Sequence, residues 1–448
     1  MTIDTNSNIH VAIVGGGITG VILALGLEKR GVSYTLYERA PAFTEIGAGI
    51  GFSPNAERAL KVVDPRVHEL YKKVTSSAKV EEYFTWINGN ENNEIIARLF
   101  IGVDAFQGGR RSEFLEAWST LIPSAKVKFG KEIESVLQND DGKATLKFRD
   151  GSLDGADIVI GCDGIRSRVR QLIFGETNPV SYPRYTNKFC FRALIPMDKA
   201  REVLGEPRTL NRFMYNGLDA HVITYPVAGG ALLNALFVVT DPNPWPLERH
   251  TAQVTKGEVV DLYKEWHPTI RSLIGLLPEK LDKWALFDMY DYPAPYYNLG
   301  SVALAGDAAH ASGPHLGSGA GFGIEDALVL ASVLKAADEK IEARRSGKSK
   351  ARICRDALAA YNTVRYVRDQ WLPGATREAV ELFHWRNKEV GSKNHQRFLE
   401  RMHVLFHMIW ENDIDEMVKI AVAEFENVVL KQSQSSFYGS RVSEPHHR

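Results

Sequence analysis

Cysteine is scarce in this chain: Cys162, Cys190 and Cys354 are the only three among 448 residues. They are too scattered for a zinc site and too few for a disulfide framework, which points to a reducing, cytoplasmic setting. Neither sign of charge is in excess, with 54 Lys and Arg against 55 Asp and Glu. No global field therefore draws nucleic acid or an anionic membrane, and neither is an expected partner. Long apolar runs are also lacking. Residues 11–27 are nearly uncharged, but glycines interrupt them and "EKRG" closes them short of a membrane span. The opening "MTIDTNSNIH" has neither the basic nor the apolar part of a signal peptide.

Glycine is plentiful, and it gathers where strands end. "HVAIVGGG" reads as a buried strand over Val11–Val14, and "ITGVILALGLEKRG" as a helix closed by Lys29, Arg30 and Gly31. "SYTLYER" is the next strand, ending at Glu38. Gly15, Gly17 and Gly20 fit G-x-G-x-x-G, which lets a pyrophosphate approach the amides of a helix start. Glu38 stands where an acid can bind a ribose diol. The loop implies a dinucleotide, and NAD and FAD fit it equally.

Two later segments favour FAD. "DIVIGCDG" ends a strand at Asp163-Gly164, and "SVALAGDAAH" ends another at Gly306-Asp307 before a long glycine-rich run. A simple NAD dehydrogenase needs neither. A cofactor with ribityl and flavin ring beyond the pyrophosphate needs contacts from further strands, and an Asp suits a ribityl hydroxyl. Residues 75–105 suggest an inserted strand pair, and 181–290 a second, mostly antiparallel sheet. Helices are expected from about Pro54, at 112–122, at 322–336 and over about 350–428. The expected class is α/β: a Rossmann-type FAD-binding domain (1–180 and 291–335) with an inserted β-sheet substrate domain (181–290). C-terminal helices (336–430) and a flexible tail (431–448) complete it.

The three ordered motifs, with "GDAAHASGPHLGSGAGFGIEDA" matching closely, resemble those of the single-component flavoprotein aromatic hydroxylases. The likeness is greatest to the salicylate hydroxylase branch, and it extends to fungal enzymes that dearomatise phenols. It implies tightly held FAD, with NADH or NADPH as a transient co-substrate lacking its own Rossmann domain. It implies that O2 adds to the reduced flavin as a hydroperoxide that attacks an ionised phenol, for example salicylate giving catechol with loss of carbon dioxide. A larger phenol undergoing oxidative dearomatisation is the same-family alternative. A flavin-binding reductase without oxygenase activity is a more distant one. The family includes monomers and homodimers. By the same resemblance Arg111 contacts the flavin side, and Asp307 the ribityl or pyrophosphate region. A helix starting near Gly321 aims its N-terminus at the flavin, with Gly317, Gly319, Gly321 and Gly323 allowing close approach and Gly319, Ala320 and Gly321 expected to bind the cofactor.

For the substrate anion, Arg192 in "FCFRALI" supplies a two-donor clamp and Tyr225 in "VITYPV" a hydrogen bond. The plainer alternatives are a surface Arg on an alternating strand and a core Tyr. His315 is expected beside the flavin and is assigned to phenol ionisation because histidine titrates near neutrality. Its competing role is to shape the loop. His221 is a further substrate-binding candidate, and His310 reads as a structural partner under the helix start. "HWRN" at 384–387 reads as helical packing. No metal site is expected.

Overall fold

A computed structural model describes residues 9–43, 49–75, 81–103, 106–140, 142–343 and 348–439. The strand His10–Val14 is apolar and buried at four of its five positions, as a strand covered on both faces must be. It pairs in parallel with Ser33–Glu38 on one side and Ile158–Gly161 on the other. Val302–Leu304 lies beside Ile158–Gly161, again parallel. The three strands that run into glycine are therefore neighbours in one six-stranded sheet, and their carboxyl ends share an edge. The helix Ile18–Arg30 leaves the first of them and stops at Gly31, whose φ of 69° gives the left-handed C-cap.

A second sheet has eight strands, and Arg184–Pro196, Ala220–Val227 and Leu232–Thr240 form its centre. Side-chain alternation divides its faces. Phe191, Phe237, Val222 and Tyr215 pack on one side with Tyr263 and Trp266 from the turn between two helices and Ile270 from the second. Arg192, Ile223, Tyr225 and Leu236 face the other way, into a cavity.

The strand pair expected at about 75–105 is present as Glu81–Asn88 and Ile95–Val103. Inserted in sequence within the nucleotide-binding part, it joins the other sheet: Glu81–Asn88 pairs in parallel with Arg212–Gly217, so the pair forms one end of the large sheet. Alternation identifies a strand but not its partner. The helix expected from about 322 starts at Gly319 and continues to Glu342. The expected 350–428 stretch is three helices, Lys350–Phe383, His395–Trp410 and Ile414–Gly439. The first break carries Trp385 at φ 55° and Gly391 at φ 60°, and Asn394 caps the next helix by accepting from Arg397 N. The tail expected from 431 is still helical to Gly439, and 440–448 lie outside the described residues. Among the described residues no helix is long and apolar enough to cross a membrane.

Candidate active site

The three glycine-ended strands open on a single cavity of about 1220 Å³ that reaches across to the large sheet. Gly15 has φ 107°, a conformation that side-chain-bearing residues rarely adopt. A Cβ on Gly20 would lie 1.9 Å from the Gly15 carbonyl oxygen, so this glycine lets the helix pack on the turn. Gly17 caps the helix with no side-chain hydrogen bond, and the first turn holds no acid. Its amides and the positive end of its dipole are left for an anion in the cavity. Glu38 also lines the cavity; its two oxygens accept from Gly16 N at 2.6 Å and Ala40 N at 2.7 Å.

Asp163 and Gly164 line the same cavity, but the Asp163 carboxylate is committed to the scaffold. It accepts from Ser167 Oγ at 2.5 Å and Val169 N at 3.0 Å, fixing the start of helix Arg168–Phe174. Gly306 is set back from the cavity, with its amide donating to Asp326 Oδ2 at 2.8 Å. Asp307 is exposed on the cavity wall. Gly319 and Ala320 bring a second helix start to the wall, also without a side-chain cap or an acid in its first turn. Gly321 is turned away: a Cβ there would meet Ala56 at 3.1 Å, so it serves helix packing. Arg111 lines the cavity, its Nη2 3.7 Å from where a Gly17 Cβ would be.

These features fit FAD. Two uncapped helix starts, a cradle of glycines, a cavity-facing carboxylate on Asp307 and the unpartnered buried Ser312 hydroxyl are complementary to a diphosphate, a ribityl chain and a polar ring.

At the sheet end Arg192 and Tyr225 share the wall, with Arg212, Ile223, Leu236 and Phe84 around them. Arg212 Nη1 donates to Glu82 Oε2 at 2.6 Å. Among the described residues Arg192 has no carboxylate at ion-pair distance, and it lines the cavity beside Tyr225. Burial raises the Tyr225 phenol, with Arg192 and Arg212 pulling against it, so the hydroxyl stays a donor at neutral pH.

The histidines depart from expectation. His315 lines the cavity, but burial first, then His221 and nearby cations, hold its imidazole well below the usual range. This direction favours the neutral ring. His221 does not line the cavity; it lies behind His315, with ring centroids 5.7 Å apart, and its Nδ1 is 2.8 Å from His384 Nε2. Arg212 has no expected role from the sequence, and His384 belongs to the stretch read as helical packing. No motif marks either one, because each acquires its place through strands distant in sequence.

His310 sits under the helix start, its Nε2 2.7 Å from Asp326 Oδ2. Arg365 bonds Asp326 and Glu325 at 2.8 and 2.6 Å and also bonds Asp369. His310, Asp326 and Asp369 bring polar atoms within 4.8 Å of one another, but the Arg365 guanidinium already supplies the positive charge there.

A family model described as "FAD binding domain" matches residues 8–346. An Aspergillus niger protein named FAD-dependent monooxygenase orf3 is 44% identical, covering 94% of this chain and 98% of its own. A Sarocladium schorii protein named salicylate hydroxylase asL1 is 38% identical, covering 93% of this chain and 91% of its own. A solved structure described as a salicylate hydroxylase substrate complex superposes with a TM-score of 0.81 at 28% identity, covering 93% and 99%.

Proposed function

The chain belongs to the FAD-binding-domain family and is an FAD-dependent monooxygenase, and on that premise we propose that it uses NADH or NADPH and O2 to hydroxylate a phenol. The phenol is held as its anion by Arg192 and Tyr225. The observation that carries this reading is Arg192, without a carboxylate partner among the described residues, beside Tyr225 on a cavity continuous with the uncapped helix start at Gly319.

Bound FAD supplies the two-electron exchange with the pyridine nucleotide and the activation of O2. The residues supply everything else. The helix start at Gly17 holds the diphosphate, with Glu38 toward a ribose and Asp307 toward the ribityl chain. The helix start at Gly319 stabilises negative charge on the reduced ring. Arg192 stabilises the phenolate that makes the ring carbon nucleophilic, and Tyr225 donates a hydrogen bond to the same anion. Phe84, Phe106, Ile223, Leu236 and Leu316 line the cavity with apolar surface that keeps water from the reacting atoms.

Salicylate, converted to catechol with loss of carbon dioxide, is the first substrate to test, since its phenol and carboxylate both suit this cation. The names of two similar proteins support the choice. A second reading, dearomatisation of a larger phenol, is favoured by the size of the cavity, about 1220 Å³, whose lining also takes in Pro278, Lys280 and Trp284. Oxidation of NADH and NADPH by the FAD-loaded protein, with and without salicylate and with products identified, separates the two. Catechol formed one-to-one with oxidised nucleotide supports salicylate. Nucleotide oxidation that yields only peroxide rules salicylate out as substrate and favours the larger phenol.

A further inference from the structure

Behind the substrate wall lies a chain of buried polar side chains that the proposed reaction does not yet use. His315 faces the cavity, and its Nδ1 is buried with no hydrogen-bond partner. His221 stands edge-on to it at 5.7 Å between ring centroids. From His221 the connection is unbroken: Nδ1 is 2.8 Å from His384 Nε2, and His384 Nδ1 is 2.9 Å from Thr240 Oγ1. Thr240 ends the strand Leu232–Thr240 and is half-buried, so the chain ends on a residue that is partly open to solvent. Asn216, opposite His221 in the strand register, is wholly buried with both amide atoms unpartnered. Such polarity inside a wall costs stability unless it is used.

We infer that His315, His221, His384 and Thr240 form a proton-exit path from the substrate cavity to the surface. The inference rests on the reading that a bound phenol must lose its proton there. Each imidazole takes a proton on one nitrogen and releases one from the other, and the Thr240 hydroxyl passes it to water. Only a proton moves; no electron is transferred. Between His315 and His221 the proton crosses the edge-on contact of the two rings, whose centroids stand 5.7 Å apart. A relay of this kind needs neutral rings, which offer a donor and an acceptor at once. Burial is the first cause that keeps all three rings neutral, and the positive charges of Lys188, Arg377 and Arg386 add to it. Glu381 faces Lys188, Asp288 faces Arg377, and Asp219 faces Arg386. The fixed cations bordering the path are therefore paired, and the mobile charge on it is the proton.

The test is a stopped-flow pH jump on the FAD-loaded protein with 5-nitrosalicylate, whose phenolate is read by absorbance. His384→Ala is expected to slow phenolate formation about tenfold or more, with flavin content and probe affinity unchanged. Added imidazole should restore the rate in His384→Ala, and Thr240→Val should show the slowing without the rescue. A merely structural His384 would not respond to imidazole. Wild-type ionisation rates in flavin-loaded variants would overturn the relay and leave the phenol reading standing. If His384→Ala loses flavin, Thr240→Val, which removes only a half-buried hydroxyl, decides the matter. Failure of the wild-type protein to bind the probe would count against the anion-binding reading, and the relay would fall with it.

Discussion

Gly15 and Cys162 meet through their backbones: a Cβ on Gly15 would stand 2.5 Å from the Cys162 carbonyl oxygen. The turn after the first strand is thus pressed onto the end of its neighbour, and two segments distant in sequence form one wall of the cofactor cavity.

Gly15→Ala is therefore expected to lose flavin. A side chain at φ 107° costs about 1–3 kcal/mol before any clash, and the clash here is with backbone that has no rotamer to escape to. The ratio of flavin to protein absorbance after gel filtration should fall severalfold. Full occupancy would show that the turn relaxes and that the cradle is not needed.

Arg192→Ala removes the cation and leaves the cofactor residues alone. Losing a charge-assisted hydrogen bond should weaken binding of an aromatic acid by about 1.5–3 kcal/mol, roughly tenfold to a hundredfold. Flavin content should not change. Tyr225→Phe, which keeps the ring and removes one neutral donor, should cost less, about 0.5–1.5 kcal/mol. Undiminished affinity in Arg192→Ala would remove this residue from the substrate site.

The network under the Gly319 helix makes a stability prediction. Burial alone would lower the His310 pKa, but Asp369 and Asp326 outweigh it and raise it to about 9. A group raised above its unfolded value of 6.5 adds stability that is complete below that pH. This stability is lost as pH climbs through about 9. Unfolding free energy should therefore decline over that window, by roughly 3 kcal/mol at most. His310→Gln should flatten the decline, and an identical pH profile for the variant would disprove the coupling.

Arg365→Leu should be worse. It leaves Glu325, Asp326 and Asp369 buried without their shared cation, a loss of about 3–5 kcal/mol. Thermal unfolding followed by circular dichroism measures it. A melting temperature close to wild type would mean that the carboxylates are neutralised another way.

The nucleotide-binding half was legible in the sequence because its demands are local. A strand that runs into glycine, a helix that follows, and an acid at the next strand end are all written within a short stretch. The pairing of Glu81–Asn88 with Arg212–Gly217 is not local, so alternation revealed the strands but not their sheet. Motif membership also does not separate a residue that faces the cavity from one that holds the scaffold. Asp163 spends its carboxylate on Ser167 and Val169, and Gly321 makes room for Ala56. His384 looked like packing in an aromatic helix, because its polar partner His221 is 163 residues away.

The most direct test of the central claim is isotopic. FAD-loaded protein is given NADPH or NADH, salicylate or a larger phenol, and heavy-isotope O2, and the oxygenated product is weighed by mass spectrometry. One labelled oxygen atom in the product, formed one-to-one with oxidised nucleotide and abolished or strongly reduced in Arg192→Ala, is the predicted result. Nucleotide oxidation that no phenol stimulates, or a product carrying no label, would contradict it.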